Sequence, residues 1–395
     1  MLRHLAVGLL GAGLCALGCA PPDSTPPVSG NEAISSSALP TSSDAGALNL
    51  ANPISPLPEP PLGISGSLSD LADPPTPETV RLGRWLFFDP RLSADNTISC
   101  ATCHRPENAF SEPTAVSTGI DGQKGGRKAP SFVNQAWTIY PHFFWDGRAA
   151  SLEEQAGGPV INPIEMGMAD HETALAKLKK IKGYEPFFAE AFGDPAITIE
   201  RVTKAMADYE RTRMSGNSPW DRWQAEPDAD DPGEDDGFFE EETIREYTDG
   251  KHVSAQVKQG YDLFQNKAAC NQCHLGENFT DSLFHNLGVG YDAATGKHAD
   301  EGRSVISGND EDLGAFKTPG LRDLAERGPY MHDGSHQTLR EVVELYNRGG
   351  NANPSLSPKI EPLGLTDDEI DAVVAFMEAL DGEGYEDAAP AVFPQ

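Results

Sequence analysis

Basic residues are scarce in this chain: 30 lysines and arginines stand against 61 aspartates and glutamates, a formal net charge of -31. Such a surface repels phosphate backbones and anionic lipid, which excludes nucleic-acid binding. Cysteine is sparse as well. Two of the six are Cys15 and Cys19, and the other four sit in two short motifs, so the body of the chain has none left for a disulfide framework. The apolar run Leu5 to Leu17, preceded by Arg3, is too short to span a bilayer and reads as an export signal. Ala16-Leu17-Gly18-Cys19 follows the pattern of a lipobox, with ordinary signal cleavage near Ala20 as the alternative. Either route takes the protein to the periplasm. A lipid anchor on Cys19 would be its sole tie to a membrane.

What the chain does have is Cys100-Ala-Thr-Cys103-His104, and again Cys270-Asn-Gln-Cys273-His274. Two thiols separated by two residues, with a histidine directly after, form the attachment pattern of c-type haem. The thiols add across two vinyl groups of one porphyrin edge, and the imidazole lies where it can bind the iron. A zinc site needs further ligands nearby, and a disulfide within the motif leaves the histidine unused. Two copies in an exported chain imply two covalently bound c-type haems, with His104 and His274 as iron ligands.

The length of 395 residues accommodates two or three domains. Residues 20–75 are rich in Pro, Ser, Gly and Ala without periodicity and read as a long disordered tether after the signal segment at 1–19. Glu78 to Phe87 and Val257 to Phe264 are amphipathic helices that share Gly-x-x-Leu-Phe, and each leads into a haem motif. The duplication predicts a mainly α fold with two cytochrome c-like haem domains in tandem, at 76–225 and 251–382. Helices are also expected over Glu172–Ile181, Ile199–Arg213, Leu339–Arg348 and Thr366–Leu380, the last with a Thr366/Glu369 capping box. Residues 226–250 are an acidic loop between the domains, either solvated or a docking surface, and 383–395 are a loose tail.

Over roughly Thr76 to Leu380 the chain resembles the bacterial dihaem cytochrome c peroxidase and MauG family. The resemblance is carried by Leu86-Phe-Phe-Asp-Pro-Arg-Leu-Ser93, Phe144-Trp-Asp-Gly-Arg148, Asn162-Pro-Ile-Glu-Met-Gly167, Phe316-Lys-Thr-Pro319 and Pro329-Tyr-Met-His-Asp-Gly334, besides the two haem motifs. It implies peroxide chemistry at the N-terminal haem and electron entry through the C-terminal one. On the same basis Glu165 is the acid/base of the distal pocket and Gln155 its hydrogen-bonding partner for peroxide. Trp145 is the bridge between the haems, and His332 a residue near the haem edge that orients a propionate or tunes the potential. By pattern alone Glu165 and Gln155 are surface helix residues and Trp145 a packing aromatic.

Three positions depart from the usual peroxidase pattern. Ile120 stands where many of these enzymes have a distal histidine that blocks the first iron until the other haem is reduced, and isoleucine cannot ligate iron. His142 is the nearest substitute downstream. Tyr346 stands where peroxidases have the methionine ligand of the C-terminal haem and MauG has a ligating tyrosine. A packing tyrosine is the alternative, with Met331 and Met377 as other ligand candidates. Lys128 precedes Ala129-Pro130, where the family uses an asparagine for calcium. An ammonium cannot ligate a cation, so the calcium expected from the resemblance lacks that ligand, and Lys128 supplies positive charge itself.

The resulting expectation is a dihaem peroxidase that reduces hydrogen peroxide to water with electrons from a small cytochrome c or cupredoxin, a basic partner suiting the acidic surface. A MauG-like oxidase acting on a protein substrate is the close competitor, and a non-catalytic dihaem electron carrier the third reading. The open first site predicts one high-spin and one low-spin haem in the resting ferric protein. Electron paramagnetic resonance showing two low-spin haems would overturn it.

Overall fold

The computed structural model describes residues 39–137, 140–225 and 253–395. The signal segment, Cys15, Cys19 and all of the acidic loop lie outside these residues. No helix among them is long and apolar enough to cross a membrane. Strand β1 (Thr41–Ser42) and helix α1 (Ala45–Ala51) precede α2 (Pro77–Phe88), α3 (Cys100–Cys103), α4 (Leu152–Ile161), α5 (His171–Leu178), α6 (Glu185–Phe192), α7 (Ile199–Arg211) and α8 (Pro219–Gln224). The second half holds α9 (Ala255–Gln265), α10 (Ser304–Ser307), α11 (Leu339–Asn347) and α12 (Asp367–Glu378). Its strands are β2 (Phe284–His285), β3 (Tyr291–Asp292), β4 (Lys297–His298), β5 (Phe316–Lys317) and β6 (Phe393–Pro394). Strands β2/β5 and β3/β4 are antiparallel pairs, and β1/β6 is parallel.

The α2 helix starts where Thr76 caps the Thr79 amide and Pro77 fixes the first turn, and it stops at Asp89-Pro90. It buries Leu82, Trp85, Leu86, Phe87 and Phe88. At Gly83 it meets α7 so closely that a Cβ would lie 1.8 Å from the Ala205 carbonyl oxygen and 2.9 Å from Tyr209 Cβ. The crossing recurs in the second half. A Cβ on Gly260 of α9 would lie 1.9 Å from the Ala372 carbonyl oxygen of α12 and 2.9 Å from Phe376 Cβ. The repeated glycine is therefore a helix-packing residue, and each crossing sits at the heart of one aromatic core.

The expected helices are present, with α5 ending at Leu178 rather than Ile181 and α7 at Arg211 rather than Arg213. The Thr366/Glu369 capping box is formed. Three stretches differ from expectation. From Leu39 onward the presumed tether is packed: Leu48 is buried in the first core, Leu68 against Ala136 and Met214, and the Asn52 side-chain amide donates to the Arg81 carbonyl at 2.9 Å. Isolated apolar residues dock one at a time there, which leaves no periodicity to read. The presumed loose tail is packed too. The β6 strand pairs with β1, Phe393 enters the first core, and Trp85 donates to the Val392 carbonyl at 3.1 Å. Asp387 accepts from Arg84 at 2.9 Å and from the Tyr209 hydroxyl at 2.9 Å. Finally α8, assigned with the first domain, inserts Trp220 into the second core, its ring 4.4 Å from Tyr261.

Arg322 makes a buried bidentate pair with Asp221 at 2.7 and 2.9 Å, which fixes α8 to the second half, and the partly exposed pair of Arg127 with Asp300 at 2.6 Å joins the two halves. Replacing Gly83 or Gly260 by alanine should force its helix pair apart and destabilise the holoprotein by about 3 kcal/mol, the upper end of overpacking costs. A melting temperature equal to wild type would show that the close crossing is dispensable.

Candidate active site

Ser99 begins α3 with a capping box to Thr102, so Cys100 and Cys103 flank one short turn and His104 leaves it as the C-cap. The His104 ring sits with Nδ1 3.1 Å from the Phe110 carbonyl oxygen; His274 repeats this with Nδ1 2.8 Å from the Phe279 carbonyl oxygen. Both phenylalanines are left-handed, with φ of 53° and 51°. That turns their carbonyls back toward the rings. With Nδ1–H donating, each Nε2 lone pair is free to bind a metal. Burial pushes both imidazoles below their usual pKa, which keeps that lone pair unprotonated.

One continuous cavity of about 760 Å³ is lined by both motifs. Trp145, Lys128, His332 and Phe316 are part of its wall. The Trp145 indole donates to the Lys128 carbonyl at 2.8 Å, and the Lys128 amide donates to the His332 carbonyl at 2.8 Å. His332 stacks on Phe316 at 3.6 Å and lies edge-on to Trp145 at 6.5 Å. Burial pulls the His332 imidazole down to about 4, so it is neutral. These contacts tie the loop after the first motif to the Pro329–Gly334 loop.

Gln155 on α4 and Glu165 on the turn beyond it also line the cavity. Glu165 accepts from the Asn162 side-chain amide at 3.0 Å; burial raises its pKa and Arg148 opposes the rise. Ile120 donates its amide to the Glu165 carbonyl at 3.0 Å and buries its side chain against Gly167, where a Cβ would come within 2.0 Å of Cδ1. It is turned into the core and is absent from the cavity wall. His142 packs on Phe284 with ring centres 5.7 Å apart and is likewise off the wall.

Tyr346, Met331 and Met377 all line the cavity, so every ligand candidate for the second centre is in place. The Tyr346 phenol is raised by burial and further by Cys270 and Cys273, which places it in the second chamber. Lys128 Nζ on the wall is buried without a hydrogen-bond partner among the described residues, and nearby Arg327 faces Asp323 at 3.5 Å with its Nε left over. Burial pulls Lys128 down to about 8, and neighbouring Arg327 lowers it further while Glu112 opposes. Cys273, Asp281 and His285 offer ligand atoms within 4.8 Å of one another, with Asp281 accepting from His285 Nε2 at 2.9 Å. The Cys273 sulfur is the one a porphyrin would use.

These features have close relatives. The di-haem cytochrome c peroxidase model matches residues 77–229, and the cytochrome c model matches 257–381. The methylamine utilization protein MauG of Methylorubrum extorquens is 39% identical over 79% of this chain and 80% of its own length. The chain belongs to the dihaem cytochrome c peroxidase and MauG family. The cytochrome c551 peroxidase of Nitrosomonas europaea is 33% identical over 78% of this chain and 82% of its own. A solved MauG-like protein associated with microbial copper homeostasis superposes with a TM-score of 0.68 at 29% identity, covering 85% of this chain and 96% of that one.

As a member of this family the chain carries two covalent c-type haems, and its residues fit them. Each motif presents two half-buried free thiols and an imidazole with its metal-binding nitrogen unused. The unpartnered Lys128 ammonium is a cation that a haem propionate would neutralise, since a buried charge without a counter-ion is costly. Sequence reading had singled out Lys128. It missed Arg327, the Asp281–His285 pair and a buried Glu210 on α7, because burial of a charged side chain leaves no mark on spacing.

Proposed function

We propose that the protein is a periplasmic peroxidase that reduces hydrogen peroxide to water at the His104 haem. Electrons enter through the His274 haem from a small cytochrome c or cupredoxin. The observation that carries this reading is the asymmetry of the cavity. On the first side Gln155 and Glu165 line the cavity while Ile120 is withdrawn into the core; on the second, Tyr346 lines it and would be the residue to hold the iron.

Haem iron, when bound, supplies the coordination site for peroxide and the electrons that break its O–O bond. The chain supplies proton handling and order. Glu165, with its pKa raised by burial, accepts a proton from the near peroxide oxygen and returns it to the far one, which leaves as water. Asn162 fixes that carboxyl, and Gln155 holds peroxide by hydrogen bonding. Trp145, pinned at Lys128, is a polarisable path between the two chambers. The acidic surface steers a basic donor to the protein, an effect that salt weakens.

Tyr346 favours a second reading. A phenolate is a hard anionic ligand that stabilises oxidised iron, which suits a MauG-like enzyme that spends peroxide oxidising equivalents on a protein side chain. The apolar run after Arg3 supports export of either enzyme, with a lipid anchor on Cys19 or ordinary cleavage near Ala20 as the two ways the segment is processed.

Peroxide turnover with reduced cytochrome c decides between the two. Fast turnover without a lag in the fully oxidised enzyme is expected, with Glu165→Gln slowing single-turnover peroxide cleavage by roughly 10²–10⁴. A wild-type rate in that variant would leave Glu165 structural, and negligible steady-state turnover would favour the oxidase. Tyr346→Met should raise the potential of the second haem. An unchanged potential and visible spectrum would remove Tyr346 as ligand.

A further inference from the structure

Two acids two residues apart on α7 are buried, and they differ in one respect. Asp208 accepts hydrogen bonds from the Thr79 hydroxyl at 2.7 Å, Lys204 at 2.6 Å and Arg211 at 3.1 Å. Glu210 is 4% exposed, its Oε2 has no hydrogen-bond partner, and it forms part of the cavity wall. Its charge is felt at Cys100, the first thioether position. A buried carboxylate oxygen with no donor is costly at such a site, and protonating the acid relieves that cost. Arg211, the next residue, pairs at 2.7 Å with Glu153 of α4, whose side chain is 29% exposed.

We propose that Glu210 is the redox-linked proton site of the first haem chamber: it binds a proton when the His104 haem is reduced and releases it on reoxidation, exchanging with solvent past Glu153 and Arg211. On reduction the haem gains one electron from the donor protein and the carboxylate gains one proton from water. The net charge of the chamber is then unchanged. This deepens the peroxidase reading, in which each peroxide consumes two electrons and two protons, and it rests on that reading for its purpose.

The surrounding charges fix the direction of the pH response. Burial pushes the Glu210 carboxyl up to about 8; Arg211 opposes the rise, and Glu153 adds to it. Of the α2 cations, Arg81 is committed to Glu190 and Arg84 to Asp387. From α3 the neighbour is Cys100, which attachment converts to a thioether. Glu165, elsewhere on the wall, is also raised by burial.

The test is spectroelectrochemical titration of both haems in the holoprotein, from mildly acid to alkaline pH and without peroxide. The first-haem potential should fall as pH rises through about 8, the second much less. Glu210→Gln should remove that part of the fall, leaving the contribution of Glu165. A purely structural role would displace the potential by a constant and keep its slope. Glu153→Gln, at a half-exposed site, should move the fall to lower pH, because the lost negative charge no longer resists ionisation of Glu210. A flat wild-type profile, a Glu210→Gln profile with the wild-type slope, or an unmoved window in Glu153→Gln would each overturn the proposal. Because no peroxide is used, such a failure leaves the peroxidase reading to its own turnover test.

Discussion

Backbone contact between two helices, made twice, is the constraint on which the rest of this molecule depends. Gly83 lets α2 ride on α7, and Gly260 lets α9 ride on α12, each at a distance that excludes any side chain. The Leu-Phe pair that follows each glycine is thereby pressed into its core. Phe87 meets Phe110 and Phe132, and Phe264 meets Phe279 and Phe376. Phe110 and Phe279 in turn orient the two histidines through their carbonyls. A sterically forced crossing thus ends, a few contacts later, in the tautomer of an iron ligand.

On this repeated frame the two chambers differ only in what their loops and helices present. The first has a hydrogen-bonding amide, two acids raised by burial and an isoleucine turned away; the second has a phenol and two thioethers. Between them the wall carries the Lys128 ammonium, which lacks a hydrogen-bond partner among the described residues. An anionic cofactor would supply its counter-ion, which couples that ionisation to haem insertion. Folding of the cavity and binding of haem are in that sense one process.

Much of this was legible from residues alone. The haem motifs, the duplicated helices and the Thr366 capping box depend on short spacings, and short spacings survive in a sequence. What could not be read depends on long-range burial. Leu48 and Leu68 look like stray apolar residues in a linker until a folded surface is there to receive them. Trp220 belongs to the second core although it precedes the acidic loop. Tyr346 could be placed on an inward helical face, yet Met331 and Met377 share its cavity, so position alone does not choose among them. Glu210 and Arg327 are ordinary charged letters whose significance is the solvent they lack.

The parallel pairing of β1 with β6 has a consequence for the order of events as the chain is made. The first haem core contains Leu48 near its start and Tyr385 and Phe393 from the far end. The half synthesised first is therefore the half that closes last. Until the final segment emerges, Trp85 lacks the Val392 carbonyl to which its indole donates, whereas the described core shared by α9 and α12 is complete by Leu380. A machinery that attaches haem during export would find the first thiol pair on an unfinished wall and the second in a nearly complete one.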